Sequence, residues 1–147
     1  MKTSFLSLLL LTVTLFLNCK QPTKSQEVPE AVSLNFMKMY PGENDPDWHT
    51  DAHGYYEANF KQGGIKYRAD YHKNGDWIET ETSIKKKELP KAIRKVIKKR
   101  FAHLEITEVE KVQSASKGLF YDVEFKRKGK NKDIEFREDG TVLYITP

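Results

Sequence analysis

The densest set of groups able to do chemistry is "HTDAH", where His49, Asp51 and His53 fall at every second position. On a strand the three would share a face, and two imidazoles with a carboxylate suit zinc. The surroundings argue against it. "GENDPD" (Gly42 to Asp47) has a loop's composition, and Gly54 follows directly. The stretch reads as a polar loop or edge strand, so the sequence assigns no metal site and no cofactor. Covalent chemistry has no better candidate. There is no G-x-S-x-G, no H-E-x-x-H and no glycine-rich phosphate loop, and no serine stands in a recognisable relation to a histidine base. The one cysteine, Cys19, ends an apolar leader. The expectation is a protein without catalysis.

Binding is the chemistry that remains. Five ring-bearing side chains set among charges are the candidates: Tyr55, His72, Trp77, Phe120 and Tyr144. Rings surrounded by polar groups are the composition of protein-recognition surfaces. Whether these five form one surface depends on the elements that carry them.

Two helices come first. In "LPKAIRKVIKKRF" (Leu89 to Phe101) the apolar residues Leu89, Ala92, Ile93, Val96, Ile97 and Phe101 recur at helical spacing. "VPEAVSLNFMKMY" (Val28 to Tyr40) does the same with Val28, Ala31, Val32, Phe36 and Tyr40. Each begins with a proline, Pro29 or Pro90, where a missing N–H does no harm. The second helix follows the first at an offset of 61 residues. The echo continues at an offset of 65: "YYEANFK" answers "FYDVEFK", and "ADYHKNGDWI" answers "IEFREDGTVL". The reading is a duplicated unit of one helix plus about four antiparallel strands. Repeat 1 covers about 27–84 and repeat 2 about 85–147. The fold class is α+β, with both helices packed on one face of a sheet.

Turn chemistry then assigns the faces. Asn74-Gly75 and Asp139-Gly140 sit between alternating runs and favour two-residue hairpin loops. Such a loop pairs His72 with Trp77 and Tyr71 with Ile78, and paired residues point the same way. The inner face then carries Ile65, Tyr67, Ala69, Tyr71 and Ile78, and from the second unit Ile134, Phe136, Leu143 and Ile145. The outer face carries all five ring-bearing candidates, along with Glu57, Asn59, Glu79, Glu81, Asp122, Glu124, Arg137 and Val142. In a two-layer fold nothing covers that outer face. Cross-strand pairing within the sheet is the other use for these rings.

The N-terminus and the charge distribution bound the setting. Residues 1–18 hold Lys2 as their only charge and read as a secretory signal peptide. "LFLNC" resembles the lipobox of bacterial lipoproteins, with Asn18 in place of the usual small residue, which would make Cys19 the lipidation site. Residues 19–26 would then be the attachment point and a polar tether, and 27–147 the domain. One cysteine allows no intrachain disulfide. From Lys20 to Ile84 the chain has seven basic and eleven acidic side chains; from Lys85 to Pro147 it has seventeen and ten. The basic excess gathers in the second helix, on the face away from its apolar stripe. The export signal argues against a nucleic-acid partner despite the pI of about 9.0.

Taken together, "VPEAV…F…YPG", "W…YYEANFK", "YHKNGDWIETE", "LPKAI…I…RF" and "YDVEFK…IEFREDGTVL" resemble the PepSY-like family, small exported proteins similar in fold to beta-lactamase inhibitor protein. The resemblance spans Glu27 to Ile145. It implies a helix-plus-four-strand unit in tandem forming one sheet, and an inhibitor-like module that binds a protein through its open sheet face. It supplies no catalytic motif. The beta-lactamase inhibitor uses disulfides, which this chain lacks. The expected partner is an envelope protein or peptide, with the membrane reached through an N-terminal lipid in the periplasm or at the outer membrane. A self-associating homodimer or a metal- or small-ligand-binding module are the alternatives.

Overall fold

The structure, a computed structural model, describes residues 27–146; the leader, Cys19 and the tether lie outside the described residues. The order of elements is one helix and four strands, twice over. Helix α1 (Glu30–Met39) is followed by β1 (Asp47–Thr50), β2 (Tyr56–Gln62), β3 (Ile65–Tyr71) and β4 (Trp77–Ser83). A short 3-10 turn (Lys86–Glu88) leads to α2 (Lys91–Arg100), then β5 (Ile106–Ser114), β6 (Gly118–Phe125), β7 (Lys132–Phe136) and β8 (Val142–Ile145). All eight strands form one antiparallel sheet in sequence order. Among the described residues no helix is long and apolar enough to cross a membrane.

Each helix packs on its own half of the sheet. Under α1, Val32 and Phe36 meet Ala58, Phe60, Ala69 and Tyr71. Small alanines on β2 and β3 leave room for the ring of Phe36, which lies 5.1–5.3 Å from Tyr40, Phe60 and Trp48 in tilted or edge-on contacts. Under α2, Ile93 and Ile97 meet Val109, Val123, Phe125, Ile134 and Phe136. The prolines at 29 and 90 occupy the N-cap positions of the two helices, and their carbonyls accept the amides of Ser33 and Arg94 at 3.1 Å.

The hairpin turns differ from the expected two-residue loops, and the difference moves side chains. A two-residue type I′ loop needs positive φ at both central residues. Among the described residues only glycines have positive φ, so Asn74 and Asp139 exclude that turn. Instead the amide of Gly75 donates to His72 O, and that of His72 to Asp76 O, both at 2.8 Å. The loop is one residue longer, so Tyr71 pairs with Trp77. Trp77 therefore lies on the helix side and packs against the α1 cluster, not on the outer face. A bulge at Ile78 then restores the register, with Asp70 opposite Glu79. The second half repeats the event. Phe136 pairs with Val142, which joins the α2 cluster, and a bulge at Leu143 precedes the pair Glu135–Tyr144. Ile78 and Leu143 thus leave the inner face assigned to them, and Trp77 and Val142 enter it.

Both turn glycines are also points of close approach. A Cβ on Gly75 would sit 2.7 Å from the Ala31 carbonyl oxygen, and one on Gly140 would sit 3.1 Å from Val96 Cγ2 and 3.2 Å from the Ala92 carbonyl. The first turn of each helix thus rests on the tip of its own hairpin. At the α1 contact, Asn35 Nδ2 donates to Gly75 O at 2.6 Å.

Candidate functional site

Neither helix covers the outer face of the sheet, and its register lays side chains out in rows. One row runs Glu57, Asp70, Glu79, Ser114. The next runs Asn59, Arg68, Glu81, Val112, Phe120. A third runs Glu110, Asp122, Glu135, Tyr144. The period-two alternation that puts apolar residues under the helices puts a carboxylate at most outward positions. The result is an acidic field with few cations inside it.

Arg68 is the cation at its centre. It pairs with Glu81 and lies 4.0 Å from Glu57. Burial works against its charge, but Glu81, Glu110, Asp70 and Glu57 outweigh that and hold the guanidinium above its ordinary pKa. The carboxylates exceed what Arg68 and Lys117, whose ammonium lies 2.7 Å from Glu135 Oε1, can neutralise. Burial pushes Asp70 up to about 6 against the pull of Arg68. Asp122 rises to about 7, first through burial and then through Asp133, Glu135 and Glu110. Glu81 and Glu110 are both raised, Glu81 by burial first and then by the charge of Glu110, and Glu110 by burial first and, against the pull of Arg68, by Glu108. One buried oxygen on each of Asp70 and Asp122 has no hydrogen-bond partner. Such groups are unfavourable as they stand and would gain from a cationic donor.

The sequence candidates divide. Tyr144 is exposed on the outer face beside Glu135. Phe120 faces outward but is only 3% exposed: Val112 flanks it, and the Lys117 ammonium lies 5.0 Å from its ring centroid. Arg137 pins that corner by donating to the Lys117 and Leu119 carbonyls. Tyr55 and His72 meet edge-on at 5.0 Å at the far end of the sheet. Trp77 is on the opposite layer. The five rings therefore form no single patch. Two groups bracket the carboxylates, one is buried and one is elsewhere.

In "HTDAH", His49 pairs with Asp47 at 3.1 Å. Asp51 instead accepts the amides of His53 and Tyr55 at 2.8 Å, a side-chain-capped turn. Among the described residues, the trio whose oxygens lie within 4.8 Å of one another is Asp70, Glu79 and Glu81. Arg68 already occupies one side of that trio. Alternation in the sequence puts Glu57, Glu79, Glu81, Asp122 and Glu124 outward, beside the rings expected to bind. The signal for the acidic field was alternation itself, in "ETETS", "EVEKV" and "YDVEF".

A family model described as beta-lactamase-inhibitor-like, PepSY-like matches residues 54–144, more than half of the chain. Solved structures share the fold. A BLIP-like protein from Bacteroides fragilis superposes with a TM-score of 0.71 at 21% identity, covering 84% of this chain and 89% of that one. A DUF2874 family protein from Bacteroides ovatus gives 0.71 at 22%, covering 82% and 87%. A protein from Bacteroides eggerthii, described as a candidate periplasmic protein, gives 0.71 at 22%, covering 82% and 88%. At such identities the likeness is one of fold. None of the curated proteins matches the sequence.

Proposed function

The chain belongs to the PepSY-like, beta-lactamase-inhibitor-like family, and from that premise we propose a non-catalytic exported module whose open sheet face receives a lysine- or arginine-rich segment of another envelope protein. The observation that carries this reading is the unbalanced carboxylate field: Asp70 and Asp122 each keep a buried oxygen without a partner. The positive charge of an incoming ammonium or guanidinium would lower the pKa of Asp70 and Asp122 and let the protonated carboxyls ionise. Tyr144 at one end, with Tyr55 and His72 at the other, would frame the segment. The apolar leader and Cys19 support export and a lipid anchor, and the eggerthii relative's description supports a periplasmic setting. We read the two helix-plus-four-strand halves as copies of one unit, on the sequence echo and the common element order.

The test is calorimetric titration with a ten-residue lysine peptide. Binding should weaken with salt and strengthen between pH 5 and pH 8, as Asp70 and Asp122 lose their protons. Asp122→Asn and Glu110→Gln should each weaken it roughly threefold to tenfold. Equal affinity in both variants and the parent would reject this face. A second reading, head-to-tail self-association, is favoured by one observation: α2 exposes Lys91, Arg94, Lys95, Lys98 and Lys99 on the opposite layer. Light scattering at low and high salt separates the two, since self-association would raise the mass at low salt without any peptide.

A further inference from the structure

The helix side of the sheet is not fully covered either. α1 lies over the first half and α2 over the second, so the central strands β4 and β5 are left between them. Their inward residues differ in kind from those beneath the helices. Thr80, Thr82, Lys111 and Gln113 stand in register between Ala69 and Tyr67 on β3 and Leu119 and Tyr121 on β6. A groove of about 500 Å³ runs over them. Its walls are Tyr40, Tyr67, Trp77 and Leu119. The rim adds Met39 and Ile65, two of the large apolar side chains that the fold leaves exposed.

The walls are held in place. Thr80 Oγ1 accepts the indole N–H of Trp77 at 2.9 Å and also hydrogen-bonds to the Tyr40 hydroxyl. Phe60 stacks on Tyr67 with centroids 5.3 Å apart. Rigid aromatic walls around a space of this size are what a small organic ligand needs. The charge in the groove is one-sided. Lys111 is exposed in the groove, no acidic residue lines it, and the carboxylates flanking Lys111 on β5, Glu108 and Glu110, point to the other face. No ion pair is made by Lys111 among the described residues.

We propose that this inter-helix groove binds a small amphipathic anion, an aryl carboxylate whose ring lies between Tyr40, Tyr67 and Trp77 and whose carboxylate meets the Lys111 ammonium. The site is separate from the acidic face: it lies on the opposite side of the same strands and selects the opposite charge. The ring supplies stacking and apolar burial, and the Lys111 pair selects an acid over its neutral analogue.

The test uses the full chain, nitrogen-15 labelled, with 2-naphthylacetate and the neutral alcohol 2-(2-naphthyl)ethanol as probes. The two indole N–H resonances, from Trp48 and Trp77, are separate reporters in one protein. The acid should shift the Trp77 resonance saturably, with a midpoint below roughly 1 mM, and leave that of Trp48 in place. Lys111→Glu, a change at an exposed position, should weaken the acid at least tenfold and the alcohol less than twofold. Leu119→Trp should fill the groove and abolish both. The proposal is overturned by an absence of saturable shift, by equal movement of the Trp48 resonance, or by Lys111→Glu binding the acid as the parent does. The Lys111 variant decides the matter even if Leu119→Trp does not fold.

Discussion

The half built on α1 and the half built on α2 share an element order and a turn geometry, yet fill their cores and dress their surfaces differently. Beneath α1 the filling is aromatic, with Phe36 in ring contact with Tyr40, Trp48, Phe60 and Tyr71. Beneath α2 the helix itself contributes aliphatic residues, Ile93 and Ile97, and the cluster mixes Leu89, Val109, Val123 and Ile134 with the rings of Phe101, Tyr121, Phe125 and Phe136. Outward, α1 exposes Leu34 and Met37 where α2 exposes lysines and arginines. What stays the same is the backbone contact of Ala31 on Gly75 and of Ala92 on Gly140. Side-chain volume can be redistributed as long as the total fits, whereas a main-chain approach has no substitute.

That contrast is breakable at the cores first. Phe36→Ala should cost about 4–5 kcal/mol in urea unfolding, since it removes a ring contacting four others and leaves a large cavity. Ile93→Ala, fully buried among branched residues, should cost about 2–4 kcal/mol. An Ile93 loss larger than the Phe36 loss would mean that aromatic geometry adds nothing to area burial here.

The shared contact gives the next effect. Gly75→Ala combines a positive φ of 92° with a methyl 2.7 Å from a backbone oxygen, and should destabilise by about 2–3 kcal/mol. Gly140→Ala has a similar φ of 89°, but its nearest neighbour is a valine methyl at 3.1 Å, so about 1–2 kcal/mol is expected. Thermal melts of both variants check the order. A reversal would show that α1 slides on its hairpin more readily than α2 does.

Much of this was open to sequence reading, and the failures are local. The helices, the strands and the inward set from Ala58 to Phe136 follow from two periodicities. Trp77 and Val142 went to the wrong face because Asn-Gly and Asp-Gly serve a one-residue-longer turn as well as a two-residue one. The compensating bulges at Ile78 and Leu143 left Glu79, Glu81 and Tyr144 where alternation put them. The acidic field needed the register of β5, which no turn signal fixes, before Glu108 and Glu110 could join it. The groove over β4 and β5 has no local signature, because its lining is drawn from the end of α1 and from four different strands.

The smallest expected effect has the opposite sign, and it tests the two halves of the acidic face against each other. By the 65-residue echo, Asp122 occupies the place of Glu57, and Asp133 that of Arg68. Where the first half sets a guanidinium 4.0 Å from a carboxylate, the second sets another carboxylate near it. Burial, then Asp133, Glu135 and Glu110, raise Asp122 to about 7, whereas an unfolded aspartate titrates near roughly 3.9. Because the folded value is the higher one, ionisation favours the unfolded chain. The stability this carboxyl supplies is complete below about pH 4 and is lost as the pH rises to about 7. Asp122→Asn should therefore be more stable than the parent at pH 8, by about 1 kcal/mol once solvent screening is discounted, and equal to it near pH 4. Glu57→Gln removes an ion-pair partner of Arg68 and should stabilise at neither pH. The same Asp122→Asn chain should bind the lysine peptide less well. Gaining stability while losing affinity is the behaviour of a residue held in an unfavourable place for a ligand. If Asp122→Asn changes neither melt nor affinity at pH 8, water already satisfies that carboxylate and the two halves are electrostatically alike.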